Sequence, residues 1–230
     1  MLFFLSLFGL LNIFYPISNS NIQAMHINEK PKLYLALGDS YTIGESVAEA
    51  YTYPVQTVAI LHKEGIIFKS PEIIATTGWT TEDLQNALER HHFSSSTYQI
   101  VSLLIGVNDQ YQGKSLDEYK TRFTHLLEKS IQLAGNNADH VIVLSIPDYS
   151  VTPFAKHSDT GFITTQIDLF NATNKEIAFS YHVNYLDVTQ LSRKAGTDPS
   201  LVARDGLHFS AKEYAFWSDL LAQVIKKKYQ

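Results

Sequence analysis

From Lys32 onward, short runs of β-branched and aliphatic residues alternate with longer stretches in which apolar positions recur at helical spacing. The strand pattern covers residues 32–37, 73–75 with its neighbours, 99–105, 140–146 and 183–186, each apolar at nearly every position rather than at every second one. Runs of that kind suit strands covered on both faces. Helical spacing covers residues 53–62, 81–90, 116–134, 163–181 and 211–227, the second with Thr80 or Thr81 as N-cap and Asp83 in its first turn. Strands alternating with helices predict an α/β fold with a mostly parallel sheet. Right-handed crossovers then give a three-layer helix–sheet–helix sandwich, whose ligands bind beyond the carboxyl ends of the strands.

Met1 to Ile17 is the one long apolar run, and small polar residues break it at Ser18, Asn19, Ser20 and Asn21. It is shorter than the ~20 residues of a membrane-spanning helix and has Ser18-x-Ser20 or Ala24 as small residues before a cleavage point. The expected organisation is a signal peptide over 1–24, hence export, followed by a single domain over 25–230. An uncleaved membrane anchor is the alternative, and membrane contact is expected only in that case. No fixed-period repeat or Pro/Gly-rich linker divides the remainder, and the triple lysine at 226–228 reads as favourable charge at a helix C-terminus.

Composition narrows the chemistry. The chain has 230 residues and no cysteine, which removes thiolate catalysis, Cys-based zinc sites and disulfide scaffolds. Its net charge of −5 would repel a phosphate backbone, so nucleic acid is not an expected partner.

Unusual residues cluster where strands end. Gly38-Asp39-Ser40 follows the first, Gly78 the second, Gly106-Val107-Asn108-Asp109 the third, and Asp205-Gly206-Leu207-His208 precedes the last helix. A serine after a tight glycine turn can present its hydroxyl at the sheet edge with its N–H free, although alone it reads first as a turn cap. A serine hydroxyl needs a base to become a nucleophile, and His208 has the carboxylate of Asp205 three residues before it, just ahead of the terminal helix. Asp205 can accept a hydrogen bond from the ring N–H that faces away from the serine and so set the tautomer. The Ser40 N–H, the Gly78 N–H and the Asn108 side-chain amide could together receive the oxyanion of an acyl-transfer intermediate.

These blocks, in this order from Leu35 to Ser210, resemble the SGNH hydrolases, the GDSL esterase/lipase family. The resemblance implies a flavodoxin-like fold with a five-stranded sheet. It makes Ser40 the nucleophile, Gly78 and Asn108 oxyanion donors, and Asp205 and His208 the acid and base. Tyr41 stands where the family's motif has Leu, which bears on the shape of the acyl pocket, and Gly78 has no longer motif around it.

Other sites fit less well. Gly38 and Gly44 have five residues between them rather than four, with Glu45 in place of the phosphate-binding lysine, so a P-loop is excluded. Thr42 breaks the G-x-S-x-G elbow, and no metal signature is present.

The expected activity is hydrolysis of a small-molecule carboxylic ester through an acyl-enzyme, with no cofactor and no metal. Small acyl or carbohydrate esters are slightly favoured. A lysophospholipase or thioesterase of the same family is the alternative, and a non-catalytic envelope or carbohydrate-binding domain on the same fold is the competing class. Attack needs a neutral imidazole, so the rate should rise with pH as the ring loses its proton. Trp79, Asp109, Gln110, Tyr111 and Pro147-Asp148-Tyr149 are expected to border the site, and the stretch from Pro147 to about Phe162 to form a lid or wall.

Overall fold

The computed structural model describes residues 30–229, so the candidate signal segment lies outside the described residues. Strands β1 (Tyr34–Gly38), β2 (Glu72–Ala75), β3 (Ile100–Leu104), β4 (Val141–Leu144) and β5 (Asn184–Leu186) form one sheet in the order β2-β1-β3-β4-β5. Every neighbouring pair is parallel. All residues of β1, β3 and β4 are buried, which is the physical reason for their unbroken apolar runs. The edge strands β2 and β5 are only partly covered.

The chain order of the strands reverses beside β1, and right-handed crossovers turn that reversal into two helix layers. Helix α1 (Ser40–Ile43) is a single turn after β1, and α2 (Tyr53–Lys63) makes the crossover to β2. Helices α3 (Thr81–Arg90), α5 (Leu116–Leu133) and α6 (Thr160–Ser180) make the later crossovers, with short α4 (Val107–Tyr111) after β3 and α7 (Thr189–Ser192) after β5. The terminal α8 (Ala211–Lys226) packs on α2, while α3, α5 and α6 pack side by side in succession.

Local chemistry explains the boundaries. Thr80, not Thr81, caps α3 in a reciprocal capping box with Asp83. Ser210 caps α8, and beyond its last turn Lys228 pairs with Asp139 at 2.8 Å while Lys226 pairs with Glu64. Helix α6 begins at Thr160, ahead of the expected residue 163, because Asp159 caps it by accepting the N–H of Phe162. The stretch expected to form a lid or wall holds two 3₁₀ turns, Tyr149–Val151 and Pro153–His157, the first capped by Asp148.

Tyr214, Trp217, Leu221 and Ile225 recur three and four residues apart on α8 and are fully buried. The rings of Tyr214 and Trp217 meet Tyr41, Tyr53 and Phe209 in one aromatic cluster, with Tyr214 and Trp217 centroids 5.0 Å apart. Each such side chain contributes roughly 1.5–3 kcal/mol through burial. The cluster therefore forms a stiff floor under α1, the turn that begins with Ser40.

Candidate active site

Strand register brings the site together. Gly38 lies opposite Ala75 on one side and Leu104 on the other, so β1, β2 and β3 end level and the segments that follow emerge at one edge. Gly38 allows the strand to turn at once into α1: a Cβ there would lie 2.1 Å from Thr42 Oγ1 and 2.4 Å from the Leu104 carbonyl oxygen. Asp39 caps α1 by accepting the Tyr41 N–H at 3.0 Å. Ser40 is thus the first helical residue, whose N–H has no acceptor within the helix.

Gly78 occupies the third position of a turn closed by Trp79 N–H to the Thr76 carbonyl, with φ of 84°. A Cβ there would meet nothing within 4 Å, so the demand for glycine comes from the backbone angle and not from crowding. Asn108 sits in α4 and donates one amide hydrogen to the Trp79 carbonyl at 2.9 Å, which ties the third block to the turn of the second. Its second amide hydrogen remains for the cavity.

The fourth block is a compact hydrogen-bonded loop. Asp205 Oδ1 accepts the backbone N–H groups of Leu207 and His208 at 2.9 and 3.0 Å. Asp205 Oδ2 lies 2.6 Å from His208 Nδ1 and accepts the hydroxyl of Ser46 at 2.6 Å. Partial burial acts to raise the Asp205 carboxyl, but the bonds from Ser46, Leu207 and His208 outweigh it and hold the group well below the usual carboxylate range. An ionised Asp205 is an acceptor only, so Nδ1 carries the proton and Nε2 is left as the acceptor. Gly206, at φ 74°, makes the turn between Asp205 and His208, and its carbonyl accepts the Phe154 N–H at 2.9 Å.

Ser40, Gly78, Asn108 and His208 all line one cavity of about 160 Å³. Asp205 stands behind the ring, outside that lining. Ser40 and His208 are 5% and 7% exposed, so both side chains are buried beside the cavity they line. No hydrogen bond joins Ser40 Oγ to the His208 ring among the described residues. Such contacts are often long in empty sites and shorten when substrate binds.

The remaining wall differs in part from the expectation. Tyr111, Tyr149 and Phe154 do border the cavity and form a mutually packed aromatic trio with centroids 6.1 to 6.3 Å apart. Val107 and Leu207 complete an apolar side. Asp109, by contrast, turns inward, fully buried, and accepts the N–H and hydroxyl of Thr81 at 2.8 and 2.6 Å. Gln110 supports the wall from behind through the Tyr149 hydroxyl, 3.1 Å away. Trp79 contributes its carbonyl to Asn108 and is not part of the lining. Asp148 is buried under the wall, bound to Arg193 at 2.9 Å, and Pro147 does not reach the cavity. Tyr41 is buried in the aromatic floor, its ring edge-on to His208 at 5.7 Å, so the tyrosine backs the imidazole as well as touching the cavity. The contact from Ser46 to Asp205 had no signal in the sequence, because its two ends lie 159 residues apart.

Among the described residues, no group of three or more His, Asp or Glu is placed to hold a metal ion, and no helix is long and apolar enough to cross a membrane.

A serine hydroxyl, an imidazole backed by a carboxylate, and amide donors at the carboxyl edge of a parallel sheet together define a hydrolase of the SGNH kind. The sequence profile of the GDSL-like Lipase/Acylhydrolase family matches residues 36–216, and the chain belongs to that family. It is a carboxylic ester hydrolase, with a small-molecule ester as its substrate. Similar solved structures share the fold. An acetylxylan esterase, Axe2, from Geobacillus stearothermophilus superposes with a TM-score of 0.63 at 18% identity, covering 84% of this chain and 94% of that one. A lipase/acylhydrolase from Enterococcus faecalis gives 0.61 at 23% identity, covering 86% and 96%. The acetyl xylan esterase AlAXEase gives 0.65 at 17% identity, covering 83% and 98%. No curated protein matches the chain by sequence.

Proposed function

We propose that the protein cleaves its ester through an acyl-enzyme on Ser40, and that small acyl or carbohydrate esters are its substrates. His208 Nε2 takes the Ser40 proton as the hydroxyl attacks the acyl carbonyl. Asp205 stabilises the imidazolium that forms. The oxyanion is received by the N–H groups of Ser40 and Gly78 and by the free amide hydrogen of Asn108, where each donor is worth about 2.7–4 kcal/mol of barrier. The imidazolium then returns its proton to the departing alcohol, and water activated by the same ring releases the acid. One observation carries this reading: groups from four separated segments line a single cavity.

The cavity's size supports a short acyl group, and the exposed rings of Tyr111 and Phe154 at its rim offer apolar faces of the kind on which a sugar ring can stack. The two acetylxylan esterases among the similar folds are in keeping with a carbohydrate ester. The apolar run over residues 1–17 supports export, with the domain over 25–230 released beyond the cell membrane.

The test is active-site labelling with a serine-directed phosphonate, followed by turnover of acetyl, octanoyl and palmitoyl esters. Stoichiometric labelling at Ser40, absent in Ser40→Ala and strongly reduced in His208→Ala, with acetyl esters turned over fastest, is the expected result. Labelling elsewhere, or undiminished turnover by Ser40→Ala, would overturn the mechanism. A preference for palmitoyl esters would overturn the substrate assignment alone.

A further inference from the structure

The segment that follows α1 is built unusually. Gly44 ends the helix at φ 68°, Ser46 repeats the left-handed conformation at φ 67°, and Glu45 stands between them. A serine with positive φ is uncommon, and such outliers gather where function holds the backbone. Both side chains of this segment reach out of it. The Glu45 carboxylate accepts the hydroxyl of Thr77, the residue before Gly78. The Ser46 hydroxyl donates to Asp205 Oδ2, the same oxygen that faces His208 Nδ1. Three consecutive residues therefore span from the nucleophile's helix to the oxyanion turn and to the acid–base loop.

We propose that Ser46 is a positioning residue for catalysis, its hydroxyl fixing the Asp205 carboxylate in the orientation that holds the His208 ring toward Ser40. This rests on the assignment of Ser40, Asp205 and His208 made above.

The geometry shows what would otherwise be loose. Oδ1 is held by two backbone N–H groups of its own loop, and the carboxylate can pivot about that oxygen. Among the described residues, Oδ2 is held only by the ring it must position and by Ser46. The Asp205 side chain is 30% exposed, so water competes for Oδ2 wherever no fixed donor occupies it. The other ionisable groups facing the pair are phenols: Tyr41 from α1, edge-on to the imidazole, and Tyr214 from α8, which feels the Asp205 charge. Burial raises both phenols well above their ordinary range, so neither carries charge beside the pair near neutral pH. Arg204 and Glu45 are the charged chain neighbours of the two hydrogen-bonded residues.

Removing the hydroxyl has two consequences. The ring loses its fixed orientation, which lowers kcat. The carboxylate, relieved of one donor, also becomes a stronger partner for the imidazolium, which moves the acid limb of the rate profile to higher pH. Hydrolysis of p-nitrophenyl acetate by Ser46→Ala, Ser46→Gly and Ser40→Ala, measured from about pH 5 to 9 beside thermal unfolding of each, tests both. Both Ser46 variants are expected to lose about tenfold in kcat with KM within about twofold, the loss of one hydrogen bond to a charged group. Their acid limbs move upward together. Glycine accepts φ 67° without strain, so Ser46→Gly should be the more stable of the two while being equally slow.

Wild-type kcat and an unmoved acid limb in both variants, with Ser40→Ala inactive, would overturn the inference and leave the mechanism standing. Activity restored in the glycine variant alone would also overturn it, since backbone strain and not the hydroxyl would then be responsible. Full turnover by Ser40→Ala would remove both the inference and the mechanism beneath it.

Discussion

Asp39, the residue before Ser40, is fully buried and has one satisfied oxygen: Oδ1 accepts the Tyr41 N–H, and Oδ2 has no partner among the described residues. Burial is the main influence on it. The Tyr41 bond opposes that influence, the Asp109 charge adds to it, and the carboxyl is raised from 3.8 to about 8. The folded protein therefore keeps Asp39 protonated at neutral pH, whereas the unfolded chain ionises it. Because the folded value is the higher, the contribution to stability is complete below about pH 4 and is lost as pH rises toward 8. At about 1.36 kcal/mol per pH unit, the full span is on the order of 5 kcal/mol. Asp39→Asn keeps the shape and the acceptor for Tyr41 but has no proton to lose. Urea unfolding of both proteins at about pH 5, 7 and 9 measures the difference, and comparison with the variant removes every other titrating group. Between the ends of that range the variant should gain on the order of 4 kcal/mol over the wild type. A difference that stays constant across the series would show that Asp39 is already charged in the fold, and the account of a neutral acid under the nucleophile would fail.

Two further substitutions probe the scaffold. Gly38→Ala drives a Cβ into the Leu104 carbonyl and the Thr42 hydroxyl, so it should destabilise by more than about 3 kcal/mol and abolish turnover; a melting temperature within a few degrees of wild type would contradict the close approach of β1 and β3. Arg193→Ala leaves the buried Asp148 with only the Ser150 N–H and the Thr164 hydroxyl, and should lower stability by about 2–3 kcal/mol by thermal unfolding. If the melting temperature does not change, Arg193 is not the fastening under the aromatic wall.

The aromatic wall also bears on specificity. Tyr111 and Phe154 are about half exposed, while Tyr149 is buried and held by Gln110, so the trio combines a fixed base with an open rim. A ligand larger than the cavity would meet those two rings first.

What could be read from the chain by itself was whatever depends on near neighbours. Continuous apolar runs located β1, β3 and β4 because burial on both faces leaves no polar position, and the spacing on α8 located its core face. The blocks around Ser40, Gly78, Asn108, Asp205 and His208 were visible because each needs particular residue types within a few positions, such as the acid three residues before the base. Tertiary structure alone decided the rest. Asp109 and Asn108 adjoin in sequence, yet one turns inward to Thr81 and the other stands at the cavity, since successive residues of a short helix point in different directions. Tyr41 became the backing of His208 only because α8 carries Trp217 beneath it. Ser46 meets Asp205 because the sheet edge brings the first and last blocks together. No local pattern records a contact across 159 residues; its geometry exists only once strand order and register are set.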